Sequence, residues 1–173
     1  MKGLVAKSLE ELVINKFGEN HWKEILKKSN LPEDLKIYSH KDIPDEVIVN
    51  VIHNTCEELG ITFEQAADAF GDYWINDFVS KKYFAFFKKG IKAKEFLLEM
   101  NRVHEKMTDK MENAHPPRFD FEDIDKNTLI MSYHSERNLE PIWLGIIKGV
   151  GRYYNEKLDL SLLAKNKVKI VFS

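Results

Sequence analysis

Apolar residues recur along this chain at two periods, and the change falls near residue 118. Before it the spacing is helical. Leu4, Val5, Leu9, Leu12 and Val13 share one face of a helix over residues 3–18, which Gly18 stops. A second helix from about His21 to Lys28 turns Trp22, Ile25 and Leu26 inward, and Leu31-Pro32 opens an irregular connection containing Ile37 and Tyr38. Pro44 suits the first turn of a third helix, Asp45 and Glu46 favour its positive end, and Gly60 ends it. Thr62 and Gln65 have the form of a capping box for a long helix through Ala66, Ala69, Phe70, Tyr73, Trp74 and Phe78. After Gly90 a helix is predicted from about Lys92 to Met111, with Phe96, Met100, His104, Met107 and Met111 on one stripe.

His115-Pro116-Pro117 breaks that pattern, and the period falls to two. Phe119 and Phe121 alternate with Arg118, Asp120 and Glu122, and Asp125-Lys126-Asn127 reads as a turn into a strand over Thr128 to Arg137. A helix starting within Asn138 to Pro141 and reaching about Tyr154 precedes two more strands. The first alternates Leu158, Leu160 and Leu162, and the second runs from Lys167 to Phe172. Helices segregated ahead of strands predict an α+β fold: an N-terminal helical subdomain, then a four-stranded antiparallel sheet with a helical crossover. No repeat, low-complexity segment or linker divides residues 1–173, so one domain is expected.

Composition narrows the function classes. With 43% hydrophobic and 31% charged residues the chain reads as a globular protein. A net charge of −2 gives no electrostatic case for nucleic acid, and the lysines between 81 and 94 are interrupted by aromatic residues. The single cysteine, Cys56, excludes an internal disulfide and fits a reducing compartment, and the charged N-terminus resembles neither a signal peptide nor a membrane span. A cytoplasmic protein without membrane partners is expected.

Two stretches carry candidate chemistry. Leu129, Met131, Tyr133, Ser135 and Arg137 would share one strand face that begins apolar and ends in two hydroxyls and a guanidinium, donors suited to an anionic ligand with an apolar body. The plainer alternative is a solvated sheet face. His104 is the one non-apolar member of its helical stripe. A core histidine bonded to a backbone carbonyl is the ordinary reading, and an iron ligand among Met and Phe side chains is the sharper one.

Taken together, His104 in VHEKM, Pro117 thirteen residues on, the Y-x-S-x-R run Tyr133, Ser135 and Arg137, and the flanking MKGLV and VKIVFS resemble the H-NOX (haem nitric oxide/oxygen binding) domains over essentially the whole chain. These include the haem domain of the soluble guanylate cyclase β subunit and stand-alone bacterial sensors. The resemblance implies a non-covalent haem b between a distal helical part, about residues 1–60, and a cradle of helices and sheet over 61–173. It implies that His104 is the proximal iron ligand, that Pro117 presses on and distorts the porphyrin, and that Tyr133, Ser135 and Arg137 take the propionates, with Asp45 where the family pairs a carboxylate with the arginine. Met100 and Met107 would line the proximal side. Val5, Leu9, Trp74, Phe78, Ile142, Gly145 and Ile146 would line the open iron face.

Oxygen-binding members carry a tyrosine at the position of Ile142. A donor stabilises bound dioxygen, which takes on negative charge, by ~1.5–3 kcal/mol; nitric oxide depends on it little. The resemblance therefore implies a sensor of nitric oxide and carbon monoxide that excludes dioxygen, except that the Trp74 indole N–H can donate if it points inward. Weakening or breakage of the His104–iron bond would signal to a separate effector, a histidine kinase or a cyclic-di-GMP enzyme. The alternatives are a haem-dependent oxygen or redox sensor and a haem-free interaction domain. An enzyme is not expected: the sequence has no H-x₃-H or H-E-x-x-H pair, no Gly-rich phosphate loop and no G-x-S-x-G elbow.

Overall fold

The computed structural model describes residues 3–109, 111–137 and 139–173. They group into two compact units, the first ending at Ala66 and the second running from Ala67 to Ser173.

The first unit is helical: α1 (Gly3–Phe17), α2 (Glu19–Lys28), α3 (Asp45–Leu59) and the start of α4 (Phe63–Tyr73). Its buried apolar stripes include Leu12 and Val13 on α1, Trp22, Ile25 and Leu26 on α2, and Ile48 and Val51 on α3, where the 3.6-residue period places them. Burial is supplemented by polar ties. The Asn54 amide donates to Ser29 Oγ at 2.9 Å, and Ser29 Oγ donates back to the Ile25 carbonyl at 2.8 Å. The capping box forms as the sequence predicts: Gln65 N–H donates to Thr62 Oγ1 at 3.2 Å and Thr62 N–H to Gln65 Oε1 at 2.9 Å.

The second unit holds the four-stranded sheet, β1 (Arg118–Asp125), β2 (Thr128–His134), β3 (Leu158–Ala164) and β4 (Lys167–Phe172), all pairings antiparallel in the order β1-β2-β4-β3. Helix α8 (Glu140–Tyr153) is the crossover between β2 and β3. The inward face is apolar: Leu129, Met131, Val168 and Ile170 are each exposed by 1% or less. Asp125 Oδ1 accepts from Asn127 N–H at 2.8 Å and closes the predicted β1–β2 turn. The fold class is as expected.

Three local expectations are corrected. The long helix beyond Thr62 does not stay α-helical: after α4 the chain widens into a π-helix over Trp74–Val79 before α5 (Ser80–Lys82). Asn76 explains this, since its side-chain amide donates to the Asp72 carbonyl at 3.2 Å and competes with the α ladder there. The helix expected over Lys92 to Met111 is two, α6 (Ala93–Leu98) and α7 (Met100–Thr108), bent at Glu99 with φ −86° and ψ −2°. Glu156 Oε1 accepts from Ala93 N–H at 2.8 Å and holds α6 near the end of α8, whereas Asn101 ties α7 to β1, so one straight helix does not serve both. Met111 lies beyond α7 and is 39% exposed; Lys110 is outside the described residues.

The strand expected to reach Arg137 stops at His134. Its ladder with β4 ends at Ser132 opposite Lys167, and on the other side β1 begins only at Arg118, after two prolines without N–H donors. Ser135 to Arg137 therefore turn away. The strand that alternates Leu158, Leu160 and Leu162 forms as β3, with Leu162 61% exposed on this edge strand. The expected start at Asn138 lies outside the described residues, and Pro141 sits in the first turn of α8.

Candidate functional site

Within the second unit, α7 lies along the edge of β1, and three successive residues there each meet an α7 side chain. His104 Nδ1–H donates to the Pro117 carbonyl at 3.2 Å. Arg118 Nη1 donates to Glu105 Oε1 at 2.7 Å. The Asn101 amide donates to the Phe119 carbonyl at 2.7 Å while its oxygen accepts from Phe119 N–H at 3.0 Å.

The first of these bonds fixes the histidine's chemistry. A carbonyl only accepts, so Nδ1 carries the proton and the neutral ring keeps its lone pair on Nε2. Burial pushes the imidazole pKa below its usual value, with the Arg118 charge acting in the same direction; the Pro117 bond opposes them only partly. The ring is thus neutral near pH 7, with its basicity supported by the carbonyl. That is the state a metal-ligating histidine needs.

His104 also opens a run of rings. Its centroid lies 5.7 Å from Phe119, which lies 6.1 Å from Tyr133, and Tyr133 stacks on Trp143 of α8 at 5.2 Å and 19°. Tyr133 is 7% exposed at the end of the apolar face of β2. In the turn that follows, Ser135 Oγ accepts from Arg137 N–H at 3.3 Å, and Arg137 Nη1 donates to the His115 carbonyl at 2.7 Å. Arg137 thereby bonds the segment just before Pro116-Pro117. The strand end, the turn and the proline segment bring the Y-x-S-x-R residues and His104 to one end of the sheet. His134 points to the other face, exposed, donating to Asp120 at 2.7 Å.

The residues expected around the open iron face fall into three groups. Trp74 stacks between Phe70 and Phe78 at 5.6 Å from each, a column that the π-helix and the end of α4 build. Ile142 and Ile146, one turn apart on α8, are half-buried. Gly145 lies at a close approach of α8 to α4: a Cβ there would sit 2.1 Å from the Ala67 carbonyl oxygen, and one on Gly71 would sit 2.1 Å from the Gly145 backbone. The Asn76 amide, donating to the Gly149 carbonyl at 3.2 Å, ties the π-helix to α8. Val5, half-buried, and Leu9, buried, belong to α1 of the first unit, and Met100 and Met107 are half-buried on α7.

Sequence reasoning missed Asn101, Phe119 and Trp143. An asparagine inside a helix is a usable signal, because Asn is a poor helix former whose amide competes with backbone partners. The carbonyls of Pro117 and His115 leave no trace in residue type.

These residues fit haem. A half-buried neutral imidazole with a free Nε2 lone pair, the Phe119 ring beside it, and the hydroxyl and guanidinium side chains of Tyr133, Ser135 and Arg137 suit an iron porphyrin with acidic tails. The family model for haem-NO-binding domains matches residues 2–162. Solved structures agree over the full length. A Cs H-NOX mutant carrying 4-cyano-L-phenylalanine at site 5 has a TM-score of 0.87 at 24% identity, covering 100% of this chain and 97% of that one. An oxygen-binding H-NOX domain related to soluble guanylate cyclases, in its oxygen complex, gives 0.85 at 24%, covering 100% and 95%. A mutant of T. Tengcongensis H-NOX gives 0.85 at 25%, covering 100% and 98%. The imidazole held by Pro117, the donor cluster beyond β2 and a family match over nearly every residue lead to one assignment: this chain belongs to the haem-NO-binding, or H-NOX, family of haem-binding sensor domains.

Proposed function

We propose that the protein senses nitric oxide and carbon monoxide through a non-covalent haem b, excludes dioxygen, and reports to a separate effector protein. The observation that supports this best is the Nδ1–H bond from His104 to Pro117, which leaves Nε2 as an electron-pair donor. Haem held there would supply an iron able to take a diatomic gas. His104 would hold that iron, with Met100 and Met107 of the same helix on the proximal side. Pro117 would lie against the porphyrin and distort it. Tyr133, Ser135 and Arg137 would donate to the propionates. With one cysteine in the chain, thioether attachment through a cysteine pair is not available.

Selectivity in this reading rests on Val5, Leu9, Trp74, Phe78, Ile142, Gly145 and Ile146 presenting an apolar surface to the gas. Ile142 offers no donor, so a ligand that accumulates negative charge gains nothing there. The Trp74 indole is stacked between two phenylalanines through its faces, and its N–H lies at the ring edge.

Signalling would act through the His104 ring, whose hold on the haem would weaken when gas binds. Once freed, α7 keeps one buried apolar anchor, Val103, and its polar ties to residues 117–119, so its position is open to change. Driving an effector from 1:99 to 99:1 takes about 5.5 kcal/mol of differential binding between the two positions. Residues 1–60 form the distal part in this reading and 61–173 the haem cradle. The effector is a histidine kinase or a cyclic-di-GMP enzyme in the cytoplasm.

His104→Gly tests the ligand assignment. The variant should lose the native axial bond, seen as a changed ferrous absorption spectrum, and recover it on addition of free imidazole. An unchanged spectrum would place the iron on another residue.

A further inference from the structure

Asn101 sits one helical turn before His104 and makes two hydrogen bonds to one residue. Its amide donates to the Phe119 carbonyl at 2.7 Å and its oxygen accepts from Phe119 N–H at 3.0 Å. On β1 the partner of Phe119 across the sheet is Tyr133, whose own N–H goes to the Asn166 carbonyl, so the polar groups of Phe119 face the open edge of β1. A strand edge offers one N–H and one C=O at just this spacing, and a primary amide satisfies both in a single geometry. The other polar ties of α7 to this segment are unlike it. Arg118 and Glu105 are 53% and 59% exposed at their side chains, a pair that solvent weakens, and the His104 tie is a single bond.

We propose that Asn101 is the positioning residue of the proximal helix: its paired bonds to Phe119 set the register of α7 against residues 117–119, so that His104 meets the Pro117 carbonyl, and they serve as the pivot about which α7 turns when the ring is freed. This rests on reading His104 as the haem ligand. Phe119 lies two positions after Pro117, and His104 one turn after Asn101, so slippage at the first contact displaces the second. A helix pinned at its N-terminal turn and released at its middle rotates rather than slides. The effector would then meet the largest displacement at the C-terminal end of α7, near Thr108.

The test compares wild type, Asn101→Ala, Asn101→Asp and Glu105→Ala in the full chain as purified with haem. Asn101→Ala removes both bonds, and Asn101→Asp keeps the acceptor for Phe119 N–H. Amide hydrogen exchange at Phe119 should speed by about tenfold or more in Asn101→Ala, less in Asn101→Asp and little in Glu105→Ala. The iron–histidine stretch of the ferrous protein should shift in the same order, a readout that simple loss of stability does not move. Nitric oxide should release His104 in a larger fraction of Asn101→Ala molecules. Faster exchange with an unmoved stretch overturns the positioning role, and unmoved exchange overturns the pairing itself. If Asn101→Ala does not fold, the graded shift in Asn101→Asp decides. Wild type that takes up no haem overturns the sensor reading alone, because Phe119 exchange still reports on the Asn101 contact.

Discussion

The centre of the sheet and the seam between α7 and β1 are neighbours held together by different means. In the sheet, Leu129 on β2 and Val168 and Ile170 on β4 are fully buried, and Met131 is 1% exposed. In the seam, Val103 is the one buried residue of α7, and contact with residues 117–119 runs through Asn101, His104 and Glu105. Dense apolar packing has a single arrangement, since any shift opens voids. A few directional bonds can exchange partners at much smaller cost. If His104 is the haem ligand, as proposed, a group that must let go lies on the seam, and the packed sheet is the fixed side.

Breaking the packed side should give the largest stability effect. Leu129→Ala is expected to cost about 2–5 kcal/mol, the range for a buried leucine whose site collapses poorly, read as a drop in the urea midpoint at unchanged m-value. Its haem spectrum, in whatever fraction stays folded, should match wild type. A smaller effect, confined to gas binding, is expected at Ile142. Ile142→Tyr adds a hydroxyl beside the expected gas position and should raise oxygen affinity by about one to two decades, the equivalent of ~1.5–3 kcal/mol, while nitric oxide affinity changes little. If air leaves that variant's spectrum unaltered, residue 142 does not face the gas.

The smallest effect tests whether polar ties matter wherever they occur. Glu58 bonds Lys28 and His21 at 2.9 Å each, joining α2 to α3, and those bonds hold its carboxyl below the ordinary value, Lys28 first. A depressed folded-state pKa means that the contribution is present above the unfolded value near 4.5 and is lost as pH falls through the folded one. Wild type should therefore melt slightly above Glu58→Gln at neutral pH, and the gap should close in acid. Gas response should be identical in the two. An altered response would mean that polar ties outside the seam also govern signalling.

Periodicity located most of the fold. Strand β2 was readable because Leu129, Met131 and Tyr133 alternate, and the start of α4 because the Thr62 and Gln65 side chains satisfy local backbone donors. What escaped was set by distant partners. The π-helix depends on Asn76 capturing the Asp72 carbonyl and reaching Gly149, the bend at Glu99 on attachments to Glu156 and Phe119, and the end of β2 on where its neighbours begin. None of these has a local period.

The site divides in the same way. His104 stood out as the polar member of an apolar stripe, and Tyr133, Ser135 and Arg137 as a spaced run of donors. The strand geometry expected for that run holds only as far as Tyr133, since Ser135 and Arg137 lie in a turn. Asn101 and the Pro117 carbonyl were invisible, the one because a lone helical asparagine suggests no partner and the other because it is backbone.

The absorption spectrum of the purified ferrous protein, recorded first in air, then with carbon monoxide and then with nitric oxide, tests the central claim most directly. The account predicts a coloured protein whose spectrum is unaltered by air and changes distinctly with each of the other two gases. A colourless protein, or one whose spectrum responds reversibly to air, would contradict it.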